Sequence, residues 1–231
     1  MKFSKLISAL TLGLAAVNVS AQQIDVTITN LTTGMYYTPF VVAGHDQNFH
    51  IFQVGQQATE ELQAQAEGGS TTGVVGLLNT ANAVVVDNPA AGLLAPAGST
   101  MASMDTGSNQ FLSITAMLLP TNDAFVGLDA WRIPTTPGTY YIDLNAYDAG
   151  TEANDEIING GGMPGVAGIP AAPGMDAGTN ATGVTTMEAN QTVHIHRGTV
   201  GDDDLTAGKS DLDNRIHRWL NPVVRVRVDV Q

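Results

Sequence analysis

The pattern of apolar and polar residues predicts an all-β protein, an antiparallel β-sandwich carrying one or two short helices. Three observations lead there. Strand-like segments recur along the chain, turn residues cluster between them at intervals usual for antiparallel sheets, and no helix–strand alternation of the parallel kind occurs.

Taken in order, residues 1–21 are read apart from the fold. Lys2 and Lys5 precede an apolar run, 6–17, too short to span a bilayer, and Asn18-Val19-Ser20-Ala21 ends in small residues before polar Gln22. This is the pattern of a secretory signal peptide, so the chain is expected to be secreted or periplasmic, with 22–231 forming one domain. No later stretch is apolar enough to predict a transmembrane segment.

Residues 22–31 alternate, with Ile24, Val26 and Ile28 opposing Asp25, Thr27 and Thr29, as a half-buried strand does. Further strands are expected at 49–54, 82–86, 111–118, 125–131, 139–144 and 192–196. The clearest is 222–230, where Val224, Val226, Val228 and Val230 oppose Arg225, Arg227 and Asp229. Helix is expected at 58–67, with Glu60 and Glu61 near its start and Gly68-Gly69 ending it. Shorter helical turns are expected at 74–79 and at 211–220, before Pro222. Seven glycines and three prolines in 160–178 predict a surface loop without regular structure, within a loop insertion at 152–180.

Composition excludes more than it selects. Asp and Glu number 22 against 9 Lys and Arg, a net charge of −13, and removing Lys2 and Lys5 would leave −15. That argues against a nucleic-acid partner, which needs a basic face. With no cysteine in an exported chain, stability must come from the core, helped by any bound cation, and such a cation would be a hard one.

Catalytic signatures are absent. Gly160-Gly161-Gly162-Met163-Pro164-Gly165 matches G-x-G-x-x-G formally, but lacks the strand before and the helix after that a dinucleotide site requires. There is no Gly-x-Ser-x-Gly elbow and no thiol nucleophile. His194 and His196 alternate about Ile195, so a strand would turn both to one face. They could supply two zinc ligands, with His45, His50 or His217 as a third, or simply be the polar side of a strand.

Carboxylates cluster at Asp148 to Glu152 with Asp155-Glu156 behind, at Asp202-Asp203-Asp204, and at Asp211/Asp213. Crowded carboxylates repel unless a cation neutralises them, and calcium takes six to eight oxygen ligands in flexible geometry. Asp148 and Glu152 follow one strand and Asp123 precedes another, so a turn could gather them at one end. For any one cluster, a solvated acidic loop fits the composition equally well.

Three stretches together carry a resemblance. They are Val26-Thr27-Ile28-Thr29-Asn30-Leu31-Thr32 with Thr38-Pro39; Pro120-Thr121-Asn122-Asp123-Ala124-Phe125-Val126-Gly127-Leu128 running through to Tyr147-Asp148-Ala149-Gly150-Thr151-Glu152; and Trp219-Leu220-Asn221-Pro222-Val223-Val224-Arg225-Val226. The chain resembles a spondin domain, the amino-terminal module of F-spondin and mindin that also occurs alone in exported bacterial proteins. The resemblance implies a sandwich similar to C2 domains, with one Ca²⁺ ion bound by Asp123, Asp148 and Glu152. Glu152 stands where animal members have Asp and Ala124 where they have Trp; their cysteines are missing and the 160–178 loop is an addition. It also implies a non-catalytic module for adhesion to a cell surface, matrix or envelope component, or a lipid headgroup. The rivals are a zinc-dependent hydrolase using His194 and His196, and a structural protein holding no ion. The sequons at Asn30, Asn180 and Asn190 matter only in a glycosylating host.

Overall fold

In β1 (Gln23–Asn30) Ile24, Val26 and Ile28 are buried and the residues between them face outward, as the alternation requires. The computed structural model describes residues 22–170 and 177–231; the expected signal peptide lies outside the described residues. Nine strands follow β1: β2 (Tyr36–Tyr37), β3 (Val41–His45), β4 (Val84–Asp87), β5 (Ser99–Asp105), β6 (Phe111–Leu119), β7 (Ala124–Arg132), β8 (Gly138–Asp148), β9 (His194–Ile195) and β10 (Val224–Val230). Every pairing between them is antiparallel.

The strands join in one sheet, ordered β4-β3-β6-β7-β8-β10-β1-β5, with β2 added on β6 and β9 on β8. Its two ends, β4 and β5, also touch. The sandwich is therefore a single sheet folded over into a flattened, nearly closed barrel, which leaves little open edge. Inside lies a core of Ile24, Val26, Ile28, Leu112, Ile114, Val126 and the valines of β10.

Helices α1 (Glu60–Gly68) and α2 (Thr72–Thr80) cover the outer face of β3 and β6, enclosing a second core. Thr59 caps α1, its Oγ1 accepting from the Leu62 amide at 3.2 Å, and Gly69 ends it at φ +71°. Leu62, Ala66, Val74 and Leu78 seal this core against Val41, Ala43 and Phe125.

Two expectations fail for physical reasons, and strands β2, β3 and β5 were not expected at all. Residues 49–54 are a loop: Ile51 donates its amide to Asp129 and Phe52 plugs the second core, with no partner strand alongside. Residues 211–220 form turns rather than helix, because Asp211, Asp213 and Ser210 bind nearby backbone amides with their side chains. Strand β3 was not expected because it is buried on both sides and shows no alternation. The described part of the Gly/Pro loop has no regular element, as expected, but is tied down: Gly165 and Gly168 donate their amides to Glu67 and Glu152.

Asn30 has a structural task despite its sequon. It is 1 % exposed, donates to the Met35 and Ala95 carbonyls, and accepts from the Thr32 amide and hydroxyl. All of its amide capacity is satisfied inside the fold, so the folded protein offers no acceptor there.

Candidate functional site

The register of β8 determines where its carboxylate goes. Leu144, Ala146 and Asp148 share the buried phase of the strand, so Asp148 is the last inward residue, opposite Ala124 at the start of β7. One residue before Ala124, Asp123 is wholly buried, and its backbone carbonyl accepts from the Ala149 amide at 3.2 Å. The chain must then turn sharply, and Gly150 makes this possible. At φ +70° it lies so close to the 190–192 backbone that a Cβ would meet Asn190 O at 2.6 Å.

That turn delivers three donors to one oxygen. Asp123 Oδ2 accepts from the Thr151 amide (2.8 Å), the Thr151 hydroxyl (3.2 Å) and the Glu152 amide (3.1 Å). Asp148 Oδ1 accepts from Gly150 at 2.8 Å and its Oδ2 from Asn154 at 2.7 Å. Glu152 Oε1 accepts from Asn122 at 3.1 Å and from the Gly168 amide. Two carboxylate oxygens are left over: Asp123 Oδ1 and Glu152 Oε2 are buried and have no hydrogen-bond partner.

The electrostatics follow from that burial. Asp123 is pushed well above the usual carboxylate range, first by burial and then by the charge of Asp148; the donated amides only partly oppose this. Asp148 is raised by burial against its bonds from Asn154 and Gly150. Burial raises Glu152 to about 7, against its bonds from Gly168 and Asn122. So the three expected residues lie at one end of the barrel: Asp148 and Glu152 both push Asp123 up, and Asp123 and Glu152 each keep one oxygen without a donor. Among the described residues, however, no three His, Asp or Glu side chains already converge as a metal-binding group. Any ion here would also need backbone carbonyls and water.

The histidines divide. His45 bonds Ser113, His50 bonds Asp129 at 2.5 Å, and His217 Nδ1 accepts from the Asp213 amide; among the described residues none of the three completes a three-ligand group with His194 and His196. His194 and His196 do face one way, their Nε2 atoms 3.8 and 4.0 Å from Asp148 Oδ2. His196 cannot easily serve a metal, because its Nδ1 accepts from the Gly198 amide (3.0 Å). That places its single proton on Nε2, which donates to Asn154 Oδ1 at 3.2 Å. His196 thus positions Asn154, and Asn154 positions Asp148, a relay invisible in the sequence because its members are 42 and 6 residues apart.

Burial pushes His196 down to about 4, with His194 and Arg197 adding to the effect. Its folded value lies below its unfolded one of about 6.5, so the fold binds fewer protons in between. The stability it supports is complete above pH 6.5 and lost as pH falls towards 4. A His196→Gln variant is expected to lose less stability between pH 7 and pH 4.5 than the parent, measured by urea unfolding at each pH. An equal loss in both proteins would rule His196 out as the acid-sensitive group.

The other acidic clusters divide: Asp203 and Asp204 are exposed, as a solvated loop would have them, but Asp202, Asp211 and Asp213 are engaged. Asp211 and Asp213 are buried, Asp211 accepting from the Ile158 and Ala181 amides, while Asp202 accepts from Asp204, Lys209 and Ser210. They clip loops together through backbone donors.

Fold and site define an all-β module with a buried carboxylate trio at one end. The family model for the spondin N-terminal domain (Spondin_N) matches residues 29–156, more than half of the chain, which therefore belongs to that family. No curated protein matches the chain. The family match contains Asp123, Asp148 and Glu152 and stops before β9 and β10.

Proposed function

We propose that this protein is an exported, non-catalytic module that binds one Ca²⁺ ion through Asp123, Asp148 and Glu152 and serves adhesion to a cell surface, matrix or envelope component. The observation that carries the reading is the pair of buried, partnerless oxygens, Asp123 Oδ1 and Glu152 Oε2, beside the desolvated Asp148. Leaving such atoms unpaired is costly, and a hard cation is the partner that suits carboxylate oxygens. Bound there, calcium supplies positive charge and a cross-link between the β7 and β8 ends. Asp123 would hold the 151–152 turn on one oxygen and offer the other, and Asn122 would aim Glu152. Spondin domains occur in secreted proteins and are not an enzyme family, and among the described residues no helix is long and apolar enough to cross a membrane.

The test is thermal unfolding of the chain from Gln22, in EDTA and in millimolar Ca²⁺. A ligand at about one hundred times its Kd stabilises by about 2.7 kcal/mol. For a domain of this size that raises Tm by roughly 5–10 °C. Asp148→Ala should remove the rise. No rise with Ca²⁺, but one with Zn²⁺ that His194→Ala abolishes, would replace this reading with the zinc one.

A further inference from the structure

A cavity of about 600 Å³ is bordered by Asp148 and lies between residues 184–189 and 194–200. Its wall lies mainly outside the segment matched by the family. Its charged groups fall into two kinds. The acidic ones are already engaged: both Glu156 oxygens accept backbone amides, from Val200 and Gly201, and one also accepts the Ser210 hydroxyl. Asp148 holds Gly150 and Asn154, and Glu188 Oε1 holds the Asn190 amide.

His194 and His196 are held by Thr192, Asn154 and Gly198, but the two arginines are not engaged. Arg197 and Arg218 are exposed at the cavity and make no ion pair or side-chain hydrogen bond among the described residues. Elsewhere Arg215, Arg225 and Arg227 each pair with an aspartate, while Arg132, exposed at the end of β7, has no such partner among the described residues. In a chain with 22 acidic residues, two arginines left unpaired at one cavity are notable, because nearby carboxylates are the expected partners. A guanidinium presents a planar fork matched to a carboxylate or phosphate. A volume of this size suits a small ligand or the end of a larger one, and Met187 and Val200, 76 % and 59 % exposed, provide apolar contact beside the forks.

We infer that this cavity binds the oxyanion group, carboxylate or phosphate, of an acidic ligand through Arg197 and Arg218, and that it does so with the cation in place. The inference rests on the calcium reading. With the trio bare, whatever negative charge it carries opposes an incoming anion; a divalent ion held by Asp123, Asp148 and Glu152 makes this end of the barrel more positive and leaves the arginines dominant. Binding is then ordered, and by linkage the anion raises calcium affinity by the same factor that calcium raises anion affinity.

Isothermal titration of the chain from Gln22 tests this in two steps. Calcium is titrated first. The Ca²⁺-loaded protein then receives trigalacturonate as the carboxylate probe, glycerol 3-phosphate as the phosphate probe and maltotriose as the neutral control. Binding of one anionic probe and not of maltotriose is expected, weakened at least tenfold by EDTA and by the double variant Arg197→Ala/Arg218→Ala, whose calcium affinity stays that of the parent. Which probe binds identifies the oxyanion. Calcium binding without either anion, or a double variant that binds the anion as well as the parent, overturns this inference and leaves the calcium reading standing. No calcium binding overturns both.

Discussion

Replacing Phe125 by alanine is expected to destabilise the protein by about 3–5 kcal/mol, the range for emptying a buried aromatic site. Phe125 is wholly buried on β7 and belongs to a ring trio: its centroid is 5.0 Å from Phe52, edge-on, and 5.6 Å from Tyr147, stacked. Phe52 and Tyr147 also meet, at 4.9 Å, so removing Phe125 takes away two of the three ring contacts and leaves only this one. The trio fastens the 49–54 loop to the sheet, and Gly127 is part of the same fit, since a Cβ there would lie 2.5 Å from the Phe52 ring. Urea unfolding of Phe125→Ala and Phe125→Leu measures the effect. A loss below about 1.5 kcal/mol in the alanine variant would mean that the cavity collapses and that the rings are not the fastening. The loss should also reach the site, because Phe125 lies two residues from Asp123 and Tyr147 precedes Asp148.

That arrangement explains why some of the site is legible in the sequence. Within Asp123-Ala124-Phe125-Val126-Gly127, the aspartate holds the turn, the phenylalanine fills the outer core, the valine fills the inner one, and the glycine admits Phe52. Each identity answers a local demand, so a short pattern carries it. The valines of β10 are legible for the same reason, since strict alternation permits one face only. Partnerships across the chain are another matter. Phe52 looked like part of a strand because its burial is supplied by Phe125 and Tyr147, some 70 and 95 positions away, and not by a neighbouring strand. Asp211 and Asp213 looked solvated because the amides that absorb Asp211, at Ile158 and Ala181, lie in a loop that has no pattern of its own. Likewise nothing near His196 announces Asn154, or sets Arg218 on the cavity that β9 borders.

Asp123 is where the two demands on the site can be separated. Asp123→Ala removes the acceptor of three donors, leaving the amides of Thr151 and Glu152 unpaired in a buried turn; the expected loss is about 3 kcal/mol in EDTA, and more in calcium, where the parent also gains from the ion. Asp123→Asn keeps an acceptor oxygen and discards the charge. In EDTA that charge is desolvated and faces Asp148, so the asparagine variant should be at least as stable as the parent, and both well above alanine. In calcium the order of the first two should reverse, because only the parent gains from the ion. The gain should also grow with pH. Glu152 is raised to about 7, so the metal-free fold holds a proton there that the unfolded chain, near 4.5, has released. Its contribution is present at low pH and lost as pH rises through 7, while calcium, which needs the ionised form, stabilises more at pH 8 than at pH 6. Denaturation midpoints of the three proteins, in EDTA and in Ca²⁺ at both pH values, decide the matter. Were the asparagine variant as weak as alanine in EDTA, the carboxylate charge would be stabilising on its own, and the argument that this end of the barrel lacks a cation would fall.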